Sequence, residues 1–316
     1  MKWKKGRRSE HIDDRRGGGP ASGGGLPGLG GLNLPSINFG GKGCLGAGGG
    51  LGTLIVLGAI LLLGGGNIFG GGGGNGGGFP IGPDVTLPGA PAAQGEPLPG
   101  APDADAELVD YVSFVLDDVQ ASWEEQFQSA GEQYDPATLV LFTQSVDSGC
   151  GFADAALGPF YCPLDERVYL DLDFFRDLRD RFGAPGDFAQ AYVVAHELGH
   201  HVQNLLGISE DVDRRRQRNP DDANELSVRQ ELQADCFAGV WAHSTYEREL
   251  LERGDLEEGL AAAAAVGDDR IQREATGRTD PESFTHGTSE QRQRWFRRGF
   301  DSGDIDRCDT FSAESL

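Results

Sequence analysis

The sequence predicts an α+β domain, mainly helical with a small β-sheet beside one central helix. Three observations predict it. From Asp105 onward, apolar residues recur at helical spacing in several long segments. Two short runs, Thr138–Phe142 and Arg167–Asp171, have the β-branched and apolar content of strands. The region before residue 100 is crowded with many of the 50 glycines in the chain, so it lacks the large side chains a core needs.

The elements follow in order. Residues 1–16 are strongly basic, with Lys2, Lys4, Lys5, Arg7, Arg8, Arg15 and Arg16. A basic arm can bind nucleic acid, but ahead of an apolar run it reads as a membrane-orientation signal. Residues 17–50 are Gly-rich with scattered prolines and read as a flexible linker. Leu51 to Leu63 is the most apolar run, and with its uncharged flanks, residues 44–69, it exceeds the roughly 20 residues a span needs. The expected layout is a basic, Gly-rich cytoplasmic arm over 1–43, a single transmembrane anchor over 44–69, a Gly/Pro-rich linker over 70–104 and a domain over 105–316 outside the cytoplasm. A cleaved signal is the alternative for the apolar run.

Within the domain, Leu108, Val109, Val112, Val115, Leu116, Val119, Trp123 and Phe127 mark an amphipathic helix over 105–128. The two strands come next, with the loop Gly149–Pro163 between them. Asp173 to Phe182 reads as a short helix. A long helix then starts after Pro185-Gly186, with Asp187 as N-cap, and stops at Gly207. Residues 209–222 are densely charged and read as a solvated loop. Helices are expected over about 222–251, over Leu256–Ile271, and over Ser289–Phe300.

The helix after Asp187 carries His196-Glu197-Leu198-Gly199-His200, an H-E-x-x-H pattern. Residues four apart on a helix share a face, so His196 and His200 can offer two imidazoles to one metal ion. Glu197 is turned aside and can reach a water at that metal as general base. An accidental match on a core helix is the competing reading. A second pattern, Glu231-Leu232-Gln233-Ala234-Asp235, argues against accident. Its two carboxylates sit among apolar neighbours and need partners. Glu231 can be a third ligand, and Asp235, one turn on, can hold a ligand imidazole in one tautomer. Two imidazoles and a carboxylate suit Zn2+, with a position left for water.

This pairing of motifs resembles the zincin metallopeptidases that use Glu as third ligand. The wider wording resembles a bacterial neutral zinc metallopeptidase family of membrane-anchored proteins. The matching stretches are Gly158–Pro163, Ala195–Gln203, Glu231–Gly239 and Phe284–Arg292, within roughly residues 105–312. The resemblance implies a zincin-like fold and hydrolysis of peptide bonds in a protein or peptide substrate. It also implies an edge strand beside the active-site helix, for which Gly158–Tyr161 is the candidate; a plain disulfide-closed hairpin is the alternative. His286 and Arg292 lie in a segment similar to one that flanks the metal in some membrane-associated zincins. That similarity implies an oxyanion donor in His286 and a supporting role for Arg292. Gly287 stands where that group has proline, and His286 could instead be a loop residue capping the next helix.

In an exported domain the cysteines suggest two disulfides; in a cytosolic one they would be buried thiols. Cys150, Cys162, Cys236 and Cys308 are an even set in the domain, read as Cys150–Cys162 and Cys236–Cys308, although four cysteines allow three pairings. Net charge is −23, and past residue 69 there are 19 basic against 47 acidic residues. So acidic a domain repels nucleic acid. His201 reads as a core or supporting residue, and His243 as structural. The alternative to an enzyme is a non-catalytic, zinc-stabilised, membrane-tethered peptide-binding or scaffold module. The retained Glu197 speaks against that, because a structural site needs ligands but no base.

Overall fold

The computed structural model describes residues 1–16 and 105–316. The expected anchor over 44–69 and both linkers lie outside the described residues. Among the described residues, no helix is long and apolar enough to cross a membrane.

The sheet has four strands in the order β1-β2-β6-β5: β1 (Ile12–Asp14), β2 (Thr138–Phe142), β6 (Arg167–Asp171) and β5 (Phe160–Cys162). β1 and β6 flank β2 in parallel, and β5 closes the other edge antiparallel to β6. β3 (Ser145–Ser148) and β4 (Gly151–Asp154) form a separate hairpin. The strands at 138–142 and 167–171 stand as read from sequence. The expected edge falls at β5, two residues later than Gly158.

Residues 1–16, expected as an arm apart from the domain, are instead built into it. β1 adds a strand in register, pairing Ile12 with Leu139 and Asp14 with Leu141. Helix α1 (Ala106–Ser129) then buries Val109, Val112, Val115, Leu116, Val119, Trp123 and Phe127, the predicted face. A short α2 (Asp173–Asp180) leads to the central helix α3 (Asp187–Leu205). α3 is buried almost all round, as a helix packed on every side must be. Its N-cap is Gly186 rather than Asp187, and the Glu258 carboxylate accepts from the Phe188 N–H there at 3.2 Å.

Gly207, at φ 72°, ends α3 and opens α4 (Ile208–Arg218) directly. This helix occupies the stretch expected as a charged loop. Its charges are not merely solvated: Arg214 pairs with Glu210 and Arg215 with Asp211 at i,i+4 spacing. α5 (Ala223–Glu247) follows. The predicted Leu256–Ile271 helix is two, α6 (Asp255–Ala265) and α7 (Asp268–Thr276), broken at Val266-Gly267. The break lets the Asp268 N–H bond to the Gly287 carbonyl at 2.9 Å. α8 (Ser289–Ser302) starts with a capping box from Thr288 and Gln291.

Two close approaches set the site. Gly199 of α3 lies against Ala234 of α5, where a Cβ would come 3.0 Å from the Ala234 carbonyl. Gly239 of α5 and Gly299 of α8 face each other's helix, and a Cβ on either would fall 2.0 Å from a carbonyl oxygen. Only glycine lets these three backbones meet so tightly. α3, α5 and α8 thus bring three separate sequence segments to one buried point.

Candidate metal centre

His196, Glu197 and His200 point from α3, and Glu231 and Asp235 from α5. All five are buried. One ligand atom each from His196, His200 and Glu231 lies within 4.8 Å of the others. Glu231 spans the gap, with Oε2 at 3.2 Å from His196 Nε2 and Oε1 at 3.4 Å from His200 Nε2.

Both imidazoles are held from behind. His196 Nδ1 lies 2.9 Å from Asp235 Oδ1. His200 Nδ1 lies 2.9 Å from Gln203 Oε1. Gln203 cannot be turned over, because its Nε2 donates to the Gln230 carbonyl at 2.7 Å and to Gln233 Oε1 at 3.0 Å. Its oxygen therefore faces His200, whose Nδ1 must donate. In both rings Nε2 is left to face the centre. Gln203 was not anticipated. The available signal was its place three residues after His200 on the same helix face.

Two buried atoms at this point have no hydrogen-bond partner: His200 Nε2 and Glu197 Oε2. Orphaned polar atoms are costly to bury, and in native proteins they call for an ion or water. A divalent cation beside the imidazoles, with a water near Glu197, would satisfy both. The donor set, two imidazole nitrogens and a carboxylate, is that of open zinc sites.

The electrostatics agree. Burial works to lower the His196 pKa, but the Asp235 carboxylate outweighs it and lifts it to about 9. Burial alone would raise Glu231, yet the His200 charge and the His196 bond hold it well below the usual carboxylate range. Glu197 is pushed up, chiefly by burial. A cation takes ligand imidazoles in the neutral form, so its binding at His196 and His200 would displace protons.

Arg292, expected in a supporting role, backs Asp235. Its Nε and Nη2 donate to the two Asp235 oxygens at 2.8 and 2.9 Å, and Nη2 also reaches Tyr192 Oη at 3.2 Å. Tyr192 Oη in turn donates to Asp235. His286 sits on the loop before α8, close enough that its charge helps depress Glu231. Asp268, which carried no sequence signal, organises that loop. One oxygen accepts from the backbone N–H groups of Thr285, His286 and Gly287 at 2.7, 2.6 and 3.2 Å. The other lies 3.0 Å from His286 Nδ1.

His201 is fully buried with both nitrogens engaged. Nε2 donates to the Asp135 carbonyl, and Nδ1 accepts from Tyr161 Oη at 3.0 Å, tying β5 to α3. His243 Nδ1 donates to the Phe300 carbonyl and is structural. Disulfides join Cys150 to Cys162 and Cys236 to Cys308.

Residues 1–311 match the family described as "Putative neutral zinc metallopeptidase". The chain belongs to this family. It is 45% identical over 317 residues to "Uncharacterized protein YpfJ" of Escherichia coli K12, covering 98% of this chain and 99% of that protein. It is also 52% identical over 189 residues to "Uncharacterized protein Mb2605" of Mycobacterium bovis and to "Uncharacterized protein Rv2575" of Mycobacterium tuberculosis, covering 56% of this chain and 63% of each. No solved structure matches. Membership suggests a peptidase and implies zinc, and among the described residues His196, His200 and Glu231 form a group able to hold it. The other such group, Asp187, Asp255 and Glu258, has the Met1 ammonium against it, 2.7 Å from Asp187 and 3.2 Å from Asp255.

Proposed function

We propose that this protein hydrolyses peptide bonds in extended protein or peptide segments, using a zinc ion held by His196, His200 and Glu231. The observation that supports it most is the orphaned Glu197 Oε2 beside three converging ligand atoms. A purely structural site needs no such base. Zinc, when bound, supplies Lewis acidity toward the scissile carbonyl and acidifies the attacking water.

The protein's own groups do the rest. Glu197 takes the proton from the attacking water and passes it to the leaving amine; its raised pKa suits both transfers. As the doubly protonated imidazolium, His286 gives Nδ1–H to Asp268 and Nε2–H to a developing oxyanion. β5 has one edge unpaired among the described strands and packs on α3 through Tyr161 and His201. An extended substrate can add there by backbone hydrogen bonds, which hold a peptide whatever its sequence. Two disulfides favour an oxidising compartment.

The test uses the purified full chain and an unfolded protein as substrate. Cleavage is expected to stop on chelation and return with zinc. Glu197→Gln is expected to keep zinc and lose activity by about 10²–10⁴-fold. A Glu197→Gln protein that cleaves at the original rate overturns the assignment.

A further inference from the structure

The first 16 residues touch the domain along their whole length. The Lys2 N–H bonds to the Leu250 carbonyl at 2.7 Å, and Trp3 packs edge-on to Tyr111 with centroids 5.4 Å apart. Lys5 and Arg8 both reach Asp110, at 2.6 and 3.0 Å. The Ser9 N–H donates to Ser113 and its hydroxyl to Asp117. β1 is laced to β2 from both ends: Leu139 N–H bonds to the His11 carbonyl and Arg15 N–H to the Leu141 carbonyl, each at 2.8 Å. Then Arg16, the last residue before 17–104, meets Asp105, the first after it, in an ion pair at 3.6 Å.

Residues 17–104 therefore depart from and come back to one point on the domain. They include the apolar run Leu51–Leu63. A single crossing there would put residues 16 and 105 on opposite faces of a hydrocarbon layer about 30 Å thick. That separation is incompatible with the ion pair and the parallel ladder. Exchange of β1 between copies does not rescue a single crossing, because every copy would have its first residues on the same wrong side.

We infer that residues 1–16 and 105–316 occupy the same side of the membrane, and that 17–104 is an insertion within the domain, not a connector between compartments. The inference rests on the strand pairing and stands independently of the peptidase reading.

Its test is topological. In the full chain carrying Cys44→Ser, single reporter cysteines are placed at two exposed positions, Glu10→Cys and Arg297→Cys. Intact and permeabilised bacterial cells are treated with a membrane-impermeant maleimide. The two sites are expected to label alike, both before permeabilisation or both only after it. A pair Arg16→Cys with Asp105→Cys is expected to cross-link within one chain in cells, a readout that needs no labelling of the β1 turn. Labelling of one site in intact cells and of the other only after permeabilisation, or failure of the Arg16–Asp105 cross-link under oxidation, overturns the inference.

Discussion

Asp235 grips Arg292 with both carboxylate oxygens, at 2.8 and 2.9 Å, with both side chains buried, while one of those oxygens also faces His196 Nδ1 at 2.9 Å. One carboxylate thus ties α3, α5 and α8 together at the back of the candidate metal centre. Burial costs are met because Arg292, His196 and Tyr192 all bond to it, and the Arg292 charge holds its pKa low. Asp235→Asn keeps the shape but leaves a buried guanidinium without its counter-charge. We expect a loss of about 3–5 kcal/mol in denaturant unfolding. Zinc affinity should fall about 10–100-fold in chelator competition, as for other carboxylates behind ligand imidazoles.

Gln203 does for His200 what Asp235 does for His196, but without charge. Gln203→Leu removes the acceptor at His200 Nδ1 and the donor to Gln233 Oε1. Zinc affinity is expected to drop about 10-fold or more. Gln203→Glu keeps an acceptor for His200, and it should hold zinc better than the leucine variant in the same competition. Equal affinity in wild type and Gln203→Leu would remove this role.

Asp268 predicts a pH signature. Burial raises its pKa, but the His286 bond and charge and the loop N–H groups more than compensate, so it lies below 3.8 in the fold. A depressed carboxylate contributes stability that is fully present above its unfolded pKa and is lost as pH falls through the folded value. Asp268→Asn should therefore be less stable than wild type by a constant amount, about 1–3 kcal/mol, above pH 4. The gap should close only below 3.8. Urea midpoints of both proteins across pH 3 to 7 would show this, and a gap that closes near neutrality would refute it.

Gly299→Ala tests the close approach of α8 to α5. The new Cβ would lie 2.0 Å from the Cys236 carbonyl oxygen, which is backbone and cannot swing away. The helices must part, at a cost of about 1–3 kcal/mol or more. Because Arg292 rides on α8, zinc affinity should weaken along with thermal stability. An alanine variant with unchanged melting temperature would show that the helices tolerate wider spacing.

Much of the fold could be read from residue patterns. α1, α3 and α5 carry apolar residues at helical spacing, α8 turns Trp295 and Phe296 inward, and β2 and β6 carry compact apolar runs, so local pattern and final environment agree. α4 was hidden because its stability comes from charge pairs at i,i+4, which look like a solvated loop when only apolar spacing is counted. β1 was hidden because two half-buried residues and an exposed one in a basic stretch carry no periodicity; its strand exists through pairing with β2. The break before Asp268 falls at Gly267, a helix-weakening residue, where the Asp268 N–H bonds to the Gly287 carbonyl across the chain.

The sequence by itself determined the chemistry of the centre: His196, Glu197 and His200 share one helix, so their relative placement is a local property of 3.6 residues per turn. Tertiary structure decided what surrounds them. The alignment of Glu231 with the two imidazoles, the placing of Arg292 behind Asp235 and the return of the first 16 residues to the sheet all depend on contacts between distant segments. Spacing along a helix is set by backbone geometry that every window of sequence carries, whereas these contacts are set by how closely glycine-lined helices can approach, which no single window contains.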